Sequence, residues 1–252
     1  LQDIKLIKKL ENIGHYVFGM AESDIMTNFY PAILGFKSQS IKMNKINSLT
    51  KSIALGSCQT NGWLAQFRAV LEILKTLDAF QLERVEVDIV HPDTPTGRLG
   101  TKSFSPREQD ARNNLRPSFS QIEKAMKRLI PEVKALHTVS LRVPVEEPGY
   151  QINRTYFKGV ITKKFEDELE EKFKKFAKKN NFIMSYNEMP LGSKAYKFRD
   201  AICHMLPKPY LQLNKNCFNT NLKIHQMITQ AYVSNVYGYC VNSLITIKSI
   251  LN

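Results

Sequence analysis

The feature that most constrains the fold is a junction between a strand-like run and a long apolar helix in the first third of the chain. Ser52 to Leu55 is a short apolar run, and Leu64 to Leu77 carries apolar side chains at helical spacing. Between these two elements lies the segment Ser57-Cys58-Gln59-Thr60-Asn61. The pattern predicts that a strand leads directly into a helix and that the Cys58 thiol lies close to the helix N-terminus.

The rest of the chain continues this alternation of strands and helices. The predicted elements are helices over Ser120 to Glu132 and Lys163 to Lys179, strands over Val85 to Val90 and Thr138 to Val143, and a strand followed by a helix over Gln230 to Asn252. The stretch from His91 to Gln109 is rich in Pro, Gly and hydroxyl side chains, which is typical of a long loop. We expect an α+β fold in which one mixed or antiparallel sheet is covered by helices.

Length and composition exclude several classes of protein. With 252 residues, of which 43% are apolar, the chain can close a hydrophobic core. The sequence contains no apolar run of 18 residues, so a membrane-spanning segment is not expected. Its four cysteines are far apart and none has zinc-site spacing, so neither a disulfide framework nor a metal site is expected. The chain begins at Leu1 without a signal-peptide pattern, which favours a cytoplasmic protein or a fragment of one.

The formal net charge of +13 favours anionic partners. These include phosphorylated small molecules, nucleic acids and acidic protein surfaces. The sequence carries no RNA-recognition, zinc-finger or helix-turn-helix signature, so sequence-specific nucleic-acid binding is not favoured.

Cys58 is a candidate nucleophile because of the place predicted for it. The positive end of a helix dipole stabilises a thiolate, and backbone N–H groups at such a turn can hold a developing oxyanion. A lone cysteine at the end of a strand is more often structural, however. A catalytic interpretation therefore needs support from elsewhere in the chain.

That support comes from six segments that occur in a fixed order. They are Ser57-Cys58-Gln59-Thr60-Asn61, Val90-His91-Pro92-Asp93-Thr94, Arg107 followed by Arg116-Pro117-Ser118-Phe119-Ser120, Ile130-Pro131-Glu132-Val133, Leu141-Arg142-Val143-Pro144, and Asn235-Val236-Tyr237-Gly238-Tyr239. In residue type and order, and in spacing from Pro117 onward, this set resembles the catalytic half of the glyceraldehyde-3-phosphate dehydrogenase family, with six extra residues between Cys58 and His91. The resemblance extends from about Phe29 to Asn252.

The resemblance implies a role for each matching residue. Cys58 matches the thiol that attacks the aldehyde and holds the acyl group as a thioester, and His91 matches its base. Asn235 matches the side chain that binds the nicotinamide of NAD or NADP. The positions that match phosphate-binding residues of the family are Ser57, Thr94, Arg107, Ser120 and Arg142.

Some positions depart from the family pattern. Gln59, Gln121 and Val145 replace the Thr, Gly and Thr of the family, which weakens the expected phosphate site. In the C-terminal motif, the Trp, Asp and Glu of the family are replaced by Tyr232, Ser234 and Val236.

The largest departure lies before Cys58. Only 57 residues precede Cys58, and they contain no G-x-G-x-x-G turn for a dinucleotide pyrophosphate. Residues 1–56 are therefore interpreted as an N-terminal extension or a remnant of a nucleotide-binding domain, and residues 57–252 as the catalytic domain. Within the remnant, Phe29 to Lys37 is interpreted as its last strand.

Three functions remain open from the sequence. The first is a dehydrogenase-like enzyme that oxidises a phosphorylated aldehyde through a Cys58 thioester. The second is a Cys-His hydrolase or transferase that acts without NAD. The third is a non-catalytic interaction module on the same fold, which binds nucleic acid, a partner protein or a related dehydrogenase. In the family, the loop that Pro92 to Ser105 matches packs against a neighbouring subunit, so the resemblance also implies a homo-oligomer or a partner chain.

Overall fold

A computed structural model describes residues 3–33, 45–93, 109–110, 112–133, 135–189, 192–195, 200–218 and 221–251 of the chain. The predicted loop over His91 to Gln109 lies mostly outside these residues, and so do Thr94 and Arg107.

The N-terminal part forms a small parallel sheet. Its elements are α1 (Ile4–Asn12), β1 (Val17–Gly19), β2 (Thr27–Asn28), a 3-10 turn (Pro31–Ile33) and β3 (Ser52–Ala54). The strand order is β1-β3-β2, with β3 parallel to both neighbours. The expected strand over Phe29 to Lys37 is wrong in its first half. The strand there ends at Asn28, and a 3-10 turn begins at Pro31, whose ring fixes φ and removes a backbone donor.

The rest of the chain builds a larger sheet and five helices among the described residues. The elements are α2 (Cys58–Leu74), β4 (Gln81–His91), β5 (Arg116–Ser118), α3 (Ile122–Leu129), β6 (Ala135–Arg142), β7 (Gly149–Lys158), α4 (Lys163–Asp167), α5 (Leu169–Lys179), β8 (Met184–Tyr186), a 3-10 turn (Ser193–Ala195), β9 (Cys203–Met205), β10 (Gln212–Asn214), β11 (His225–Val233) and α6 (Tyr237–Leu251).

The larger sheet mixes parallel and antiparallel pairs. Its order is β5-β6-β4-β7-β11-β9-β8, and β10 pairs with β11 beside this path. β4 runs parallel to β6 and antiparallel to β7, and β8 runs parallel to β9. The predicted α+β fold with a mixed sheet and helices is confirmed.

One face of this sheet packs against the helices. In β4, the buried side chains of Val85, Val87 and Ile89 alternate with partly exposed ones and belong to the main core. α2 contacts β7 and β11 as well as α3 and α5, so it lies at the centre of the helical layer. On the opposite face, Val139 of β6 is exposed. A side chain at the end of β4 can therefore lie on the face covered by helices only if it is an even number of positions from Ile89.

The amphipathic segment Lys163 to Lys179 is helical as predicted, with a break at Glu168 between α4 and α5. Its predicted apolar positions are all buried: Phe165, Leu169, Phe173 and Phe176. Across the described ranges, no helix has the length and apolar character needed to cross a membrane.

Candidate active site

The N-terminus of α2 is held by its own side chains. The helix begins at Cys58, earlier than the predicted Leu64, because Ser57 caps it: the Thr60 N–H donates to Ser57 Oγ at 3.1 Å. The Asn61 side chain donates to the carbonyls of Leu55 at 2.9 Å and Ser57 at 3.0 Å. These bonds tie the end of β3 to the first turn of α2. Cys58 is therefore a half-buried first residue of a well-capped helix.

A glycine lets this helix end approach the sheet closely. A Cβ on Gly149 would lie 2.3 Å from Gln59 Nε2, so any larger residue at this position would displace the Gln59 side chain. Gln151 then donates to the backbone carbonyl of Gln59 at 2.7 Å and to its Oε1 at 2.8 Å. The residue after Cys58 is thus anchored to the first residues of β7. The departure Gln59, which the sequence suggested would weaken the phosphate site, has a structural role here.

His91 lies at the end of β4, under this helix N-terminus. It continues the alternation of Val87 and Ile89, so its side chain shares the helix-covered face, where only 9% of its surface is exposed. One step beyond the Val90–Tyr150 pair of the β4–β7 ladder, His91 comes opposite Gly149. Cys58 and His91 therefore lie at the same end of the sheet, on the same face.

Two buried guanidinium groups continue the row from His91 to the sheet edge. His91 pairs with Arg142 of β6, which pairs with Arg116 of β5. Arg142 is 4% exposed and donates to the Pro92 carbonyl at 3.2 Å. Arg116 is fully buried and forms an ion pair with Asp93 at 2.7 Å. Two guanidinium groups, one of them paired with Asp93, therefore lie on adjacent strands at the same end of the sheet as His91.

The start of α6 closes the site from the other side. The Cys58 N–H donates to the Tyr239 hydroxyl at 2.6 Å, and this hydroxyl donates to the Met20 carbonyl at 3.1 Å. Asn235 lies between β11 and α6, and its Oδ1 is buried with no hydrogen-bond partner among the described residues. The Oδ1 of the predicted candidate Asn235 can therefore accept a hydrogen bond.

Ser120 lies at the edge of this region. Its hydroxyl accepts from the Ile122 N–H at 3.1 Å, at the start of α3. The adjacent Gln121 side chain accepts from the Glu22 N–H at 3.0 Å, and the Glu22 carboxyl packs against Gly56, two residues before Cys58. Burial raises the pKa of Glu22, although hydrogen bonds from Tyr30 and Arg128 oppose the shift.

Placement therefore differs among the predicted site residues. The structure brings four of them to one end of the larger sheet: Ser57, Cys58, His91 and Arg142. Asn235 lies just before α6, and Ser120 lies at the start of α3. Sequence reasoning gave no role to Arg116, Tyr239 or Glu22. Arg116 and Tyr239 do lie within the matched segments, so the resemblance could have found both, whereas Glu22 lies outside every matched segment.

Comparison with known proteins identifies the family. The family model described as glyceraldehyde 3-phosphate dehydrogenase, C-terminal domain, matches residues 57–221. The match begins at the N-cap of α2 and covers the strands that carry His91, Arg116 and Arg142. No curated protein matches the chain at a significant level. The chain belongs to the glyceraldehyde-3-phosphate dehydrogenase family, through the C-terminal domain that forms most of its length.

Proposed function

We propose that this domain oxidises a phosphorylated aldehyde through a covalent thioester on Cys58. The observation that carries the proposal is the arrangement of groups at one end of the sheet. A half-buried thiol begins a capped helix, an imidazole lies at the strand end beneath it, and two buried guanidiniums follow on the next strands. This combination suits a nucleophile that acts on an anionic substrate.

Cys58 and His91 share the proton chemistry. His91 takes the thiol proton, and the N-terminus of α2 stabilises the thiolate that results. The thiolate sulfur then bonds to the aldehyde carbon, and the imidazolium of His91 faces the oxygen that carries the developing charge. Because 9% of the His91 surface is exposed, little water competes for this proton.

Arg142 and Arg116 bind the phosphate. Both guanidinium groups are buried: Arg142 donates to the Pro92 carbonyl, and Arg116 donates to the Gln109 carbonyl and to the Asp93 carboxylate. Guanidinium groups suit a phosphate because each can donate two parallel hydrogen bonds to it. The Ser57 hydroxyl already caps α2, so its contribution to a phosphate is through the helix end rather than as a free donor.

Asn235 fits the nicotinamide of NAD or NADP. Its buried Oδ1 lacks a partner among the described residues, and a carboxamide N–H₂ would satisfy it. When bound, the dinucleotide would supply the hydride acceptor. Asn235 would hold the carboxamide, and Cys58 would keep the acyl group on its sulfur until phosphate or water releases it.

The test is turnover of glyceraldehyde 3-phosphate with NAD and with NADP, on the native chain and on Cys58→Ala. Removing the nucleophile should lower turnover at least about 1000-fold. Cys240→Ala is the matched control, since the Cys240 side chain is exposed to solvent and has no role in the proposal. Its turnover should stay within about twofold of native. Turnover that survives in Cys58→Ala would contradict the proposal.

Alkylation with iodoacetamide tests the nucleophile without any cofactor. Cys58 should react at least about tenfold faster than the exposed Cys240 near neutral pH. Burial raises the pKa of the Cys203 and Cys217 thiols, so both should react slowly. Fast Cys58 labelling with turnover that ignores NAD would favour the Cys-His hydrolase, and equal labelling of Cys58 and Cys240 would favour a non-catalytic module.

A further inference from the structure

A second group of catalytic side chain types meets at the opposite edge of the larger sheet. β8 is the edge strand and runs parallel to β9, with Ser185 in register with His204. The Ser185 hydroxyl lies 2.8 Å from His204 Nδ1. Asp200, four residues before His204, places its Oδ1 3.5 Å from His204 Nε2. The Ser185 hydroxyl and the Asp200 carboxylate thus lie near the two different nitrogens of the His204 ring.

The charges decide which ring nitrogen carries the proton. The Asp200 carboxylate and the Ala201 backbone both interact with the imidazole so as to favour a proton on it. The Asp200 carboxylate lies nearest to Nε2, and its charge favours the tautomer that carries the proton on Nε2. Nδ1 is then the acceptor, and the Ser185 hydroxyl donates to it. This is the relation that a serine nucleophile needs to its general base.

His204 is buried enough to remain uncharged near neutral pH. Its side chain is 3% exposed, and burial lowers its pKa despite the nearby Asp200. An imidazole that is already protonated cannot take a proton from serine. The environment of His204 therefore favours the base form.

Ser185 and Asp200 open into a cavity of about 630 Å³. Its apolar walls include Phe182, Met184 and Tyr237. Its charged residues balance, with Lys174 and Lys178 against Glu188 and Asp200. A cavity of this size holds a small organic molecule, and the balance of charges favours a substrate without net charge.

We propose that Ser185, His204 and Asp200 form a second catalytic site, independent of Cys58, that hydrolyses uncharged carboxylic esters with an apolar acyl or aryl group. Ser185 Oγ bonds to the carbonyl carbon while its proton passes to His204 Nδ1. The ester C–O bond breaks, and the leaving alcohol takes that proton. Water then attacks the acyl-serine, gives one proton to Nδ1 and releases the carboxylic acid, and Ser185 regains its proton from His204.

Donors for the charge on the carbonyl oxygen line the same cavity. Lys178, at the end of α5, and Asn181, in the turn after it, both line the cavity and carry N–H donors. A donor at hydrogen-bond distance from the developing oxyanion stabilises it in this kind of reaction. Ser185 and candidate oxyanion donors therefore line the cavity, and the base His204 has its Nδ1 2.8 Å from the Ser185 hydroxyl.

The test uses a fluorophosphonate probe and 4-nitrophenyl butyrate on the Cys58→Ala chain, so that the Cys58 thiol cannot contribute. Peptide mass spectrometry should find the phosphonate on Ser185. Adding Ser185→Ala or His204→Gln should lower butyrate hydrolysis at least about 100-fold. Asp200→Asn should lower it at most about tenfold, because the Asp200 side chain is 73% exposed. An ester with a carboxylate on its acyl chain should react about tenfold more slowly than the butyrate.

Two matched variants serve as controls. Ser249→Ala removes another half-buried hydroxyl, and His225→Gln removes another buried histidine whose pKa burial also lowers. Both should hydrolyse the butyrate within about twofold of the Cys58→Ala chain. The adduct site identifies the nucleophile even if His204→Gln fails to fold. An adduct on a different serine, no adduct, or equal loss in His225→Gln would overturn the proposal. Because every measurement is made without Cys58, failure here leaves the dehydrogenase proposal untouched.

Discussion

The Cys58 end and the Ser185 edge of the same sheet offer nucleophiles in two different ways. Cys58 is positioned by the capped end of a helix: it is the first residue after the Ser57 cap, and its own N–H donates to the Tyr239 hydroxyl. Ser185 is positioned by side chains that meet across two three-residue strands at an edge. The first arrangement depends on several hydrogen bonds between side chains and backbone, whereas the second depends on a single pair in register.

This difference affects how each site responds to change. The Cys58 end is packed around Gly62 and Gly149, where a Cβ would lie within 2.4 Å of a neighbouring side chain. The Ser185 edge borders an open cavity. A Cβ on Gly192, which comes after β8 in the chain, would meet no heavy atom of the described residues within 4 Å. A substitution that adds a Cβ at Gly62 should therefore lower stability, whereas one at Gly192 should not.

Replacing either of the two histidines by glutamine should give the largest change in the reactivity of a site. His91→Gln should lower the Cys58 alkylation rate about 10-fold to 100-fold by removing its base, with fluorophosphonate labelling unchanged. His204→Gln should lower fluorophosphonate labelling of Ser185 and leave the Cys58 alkylation rate unchanged. Parallel kinetics with iodoacetamide and the fluorophosphonate measure both. Loss of both reactivities in either variant would show that the two sites are not independent.

Gly62→Ala should give the next largest effect, on stability. The new Cβ would lie 2.4 Å from Cγ1 and 2.5 Å from Cγ2 of Val233, which is fully buried and branched at Cβ. Such overpacking costs about 1–3 kcal/mol. Gly192→Ala is the control and should change the free energy of unfolding by less than about 0.5 kcal/mol. Urea denaturation followed by circular dichroism compares them, and equal costs would remove the contrast in packing.

Tyr239→Phe should have a smaller effect, confined to the Cys58 end. The variant removes the acceptor of the Cys58 N–H and the donor to the Met20 carbonyl, which should lower the free energy of unfolding by about 1 kcal/mol. Fluorophosphonate labelling of Ser185 should not change. Denaturation and labelling rates measure the two parts, and unchanged stability would mean that this hydroxyl does not hold the helix end in place.

The smallest effect should be a pH dependence of the free energy of unfolding, caused by Glu22, which packs against Gly56. The pKa of Glu22 is raised by burial, so its protonated form favours the folded state. That contribution is present below the unfolded pKa near 4.5 and is lost as pH rises through the folded pKa. The stability of Glu22→Gln relative to native should therefore increase with pH across that interval. Denaturation curves of both proteins at several pH values measure this difference in the free energy of unfolding. A difference that stays constant or decreases as pH rises would contradict the prediction.

Local patterns predicted most of the elements because each carries its own period. The α5 stripe of Leu169, Phe173 and Phe176 packs into the core as expected. Boundaries were less accurate where a side chain bond set them. The start of α2 depends on the Ser57 cap, and the apolar stripe alone placed it six residues late.

The candidate site divides in the same way. The resemblance selected Cys58, His91 and Arg142, and the fold brings them to one end of the sheet. Arg116 was missed because its importance comes from its pairing with Arg142, 26 residues later in the chain. The roles of Thr94 and Arg107 stay predictions, since both lie outside the described residues.

The amino-acid order alone established the α+β class, the strand that leads into the Cys58 helix and the family of the domain, since these depend on neighbours within a few residues and on motifs in a set order. Tertiary structure decided which side chains meet. Glu22 reaches Gly56, Gln59 lies on Gly149, and Ser185 meets His204 only because separate segments are brought into contact. Strand register and close backbone approach create those contacts, and neither is encoded in any one local stretch of the chain.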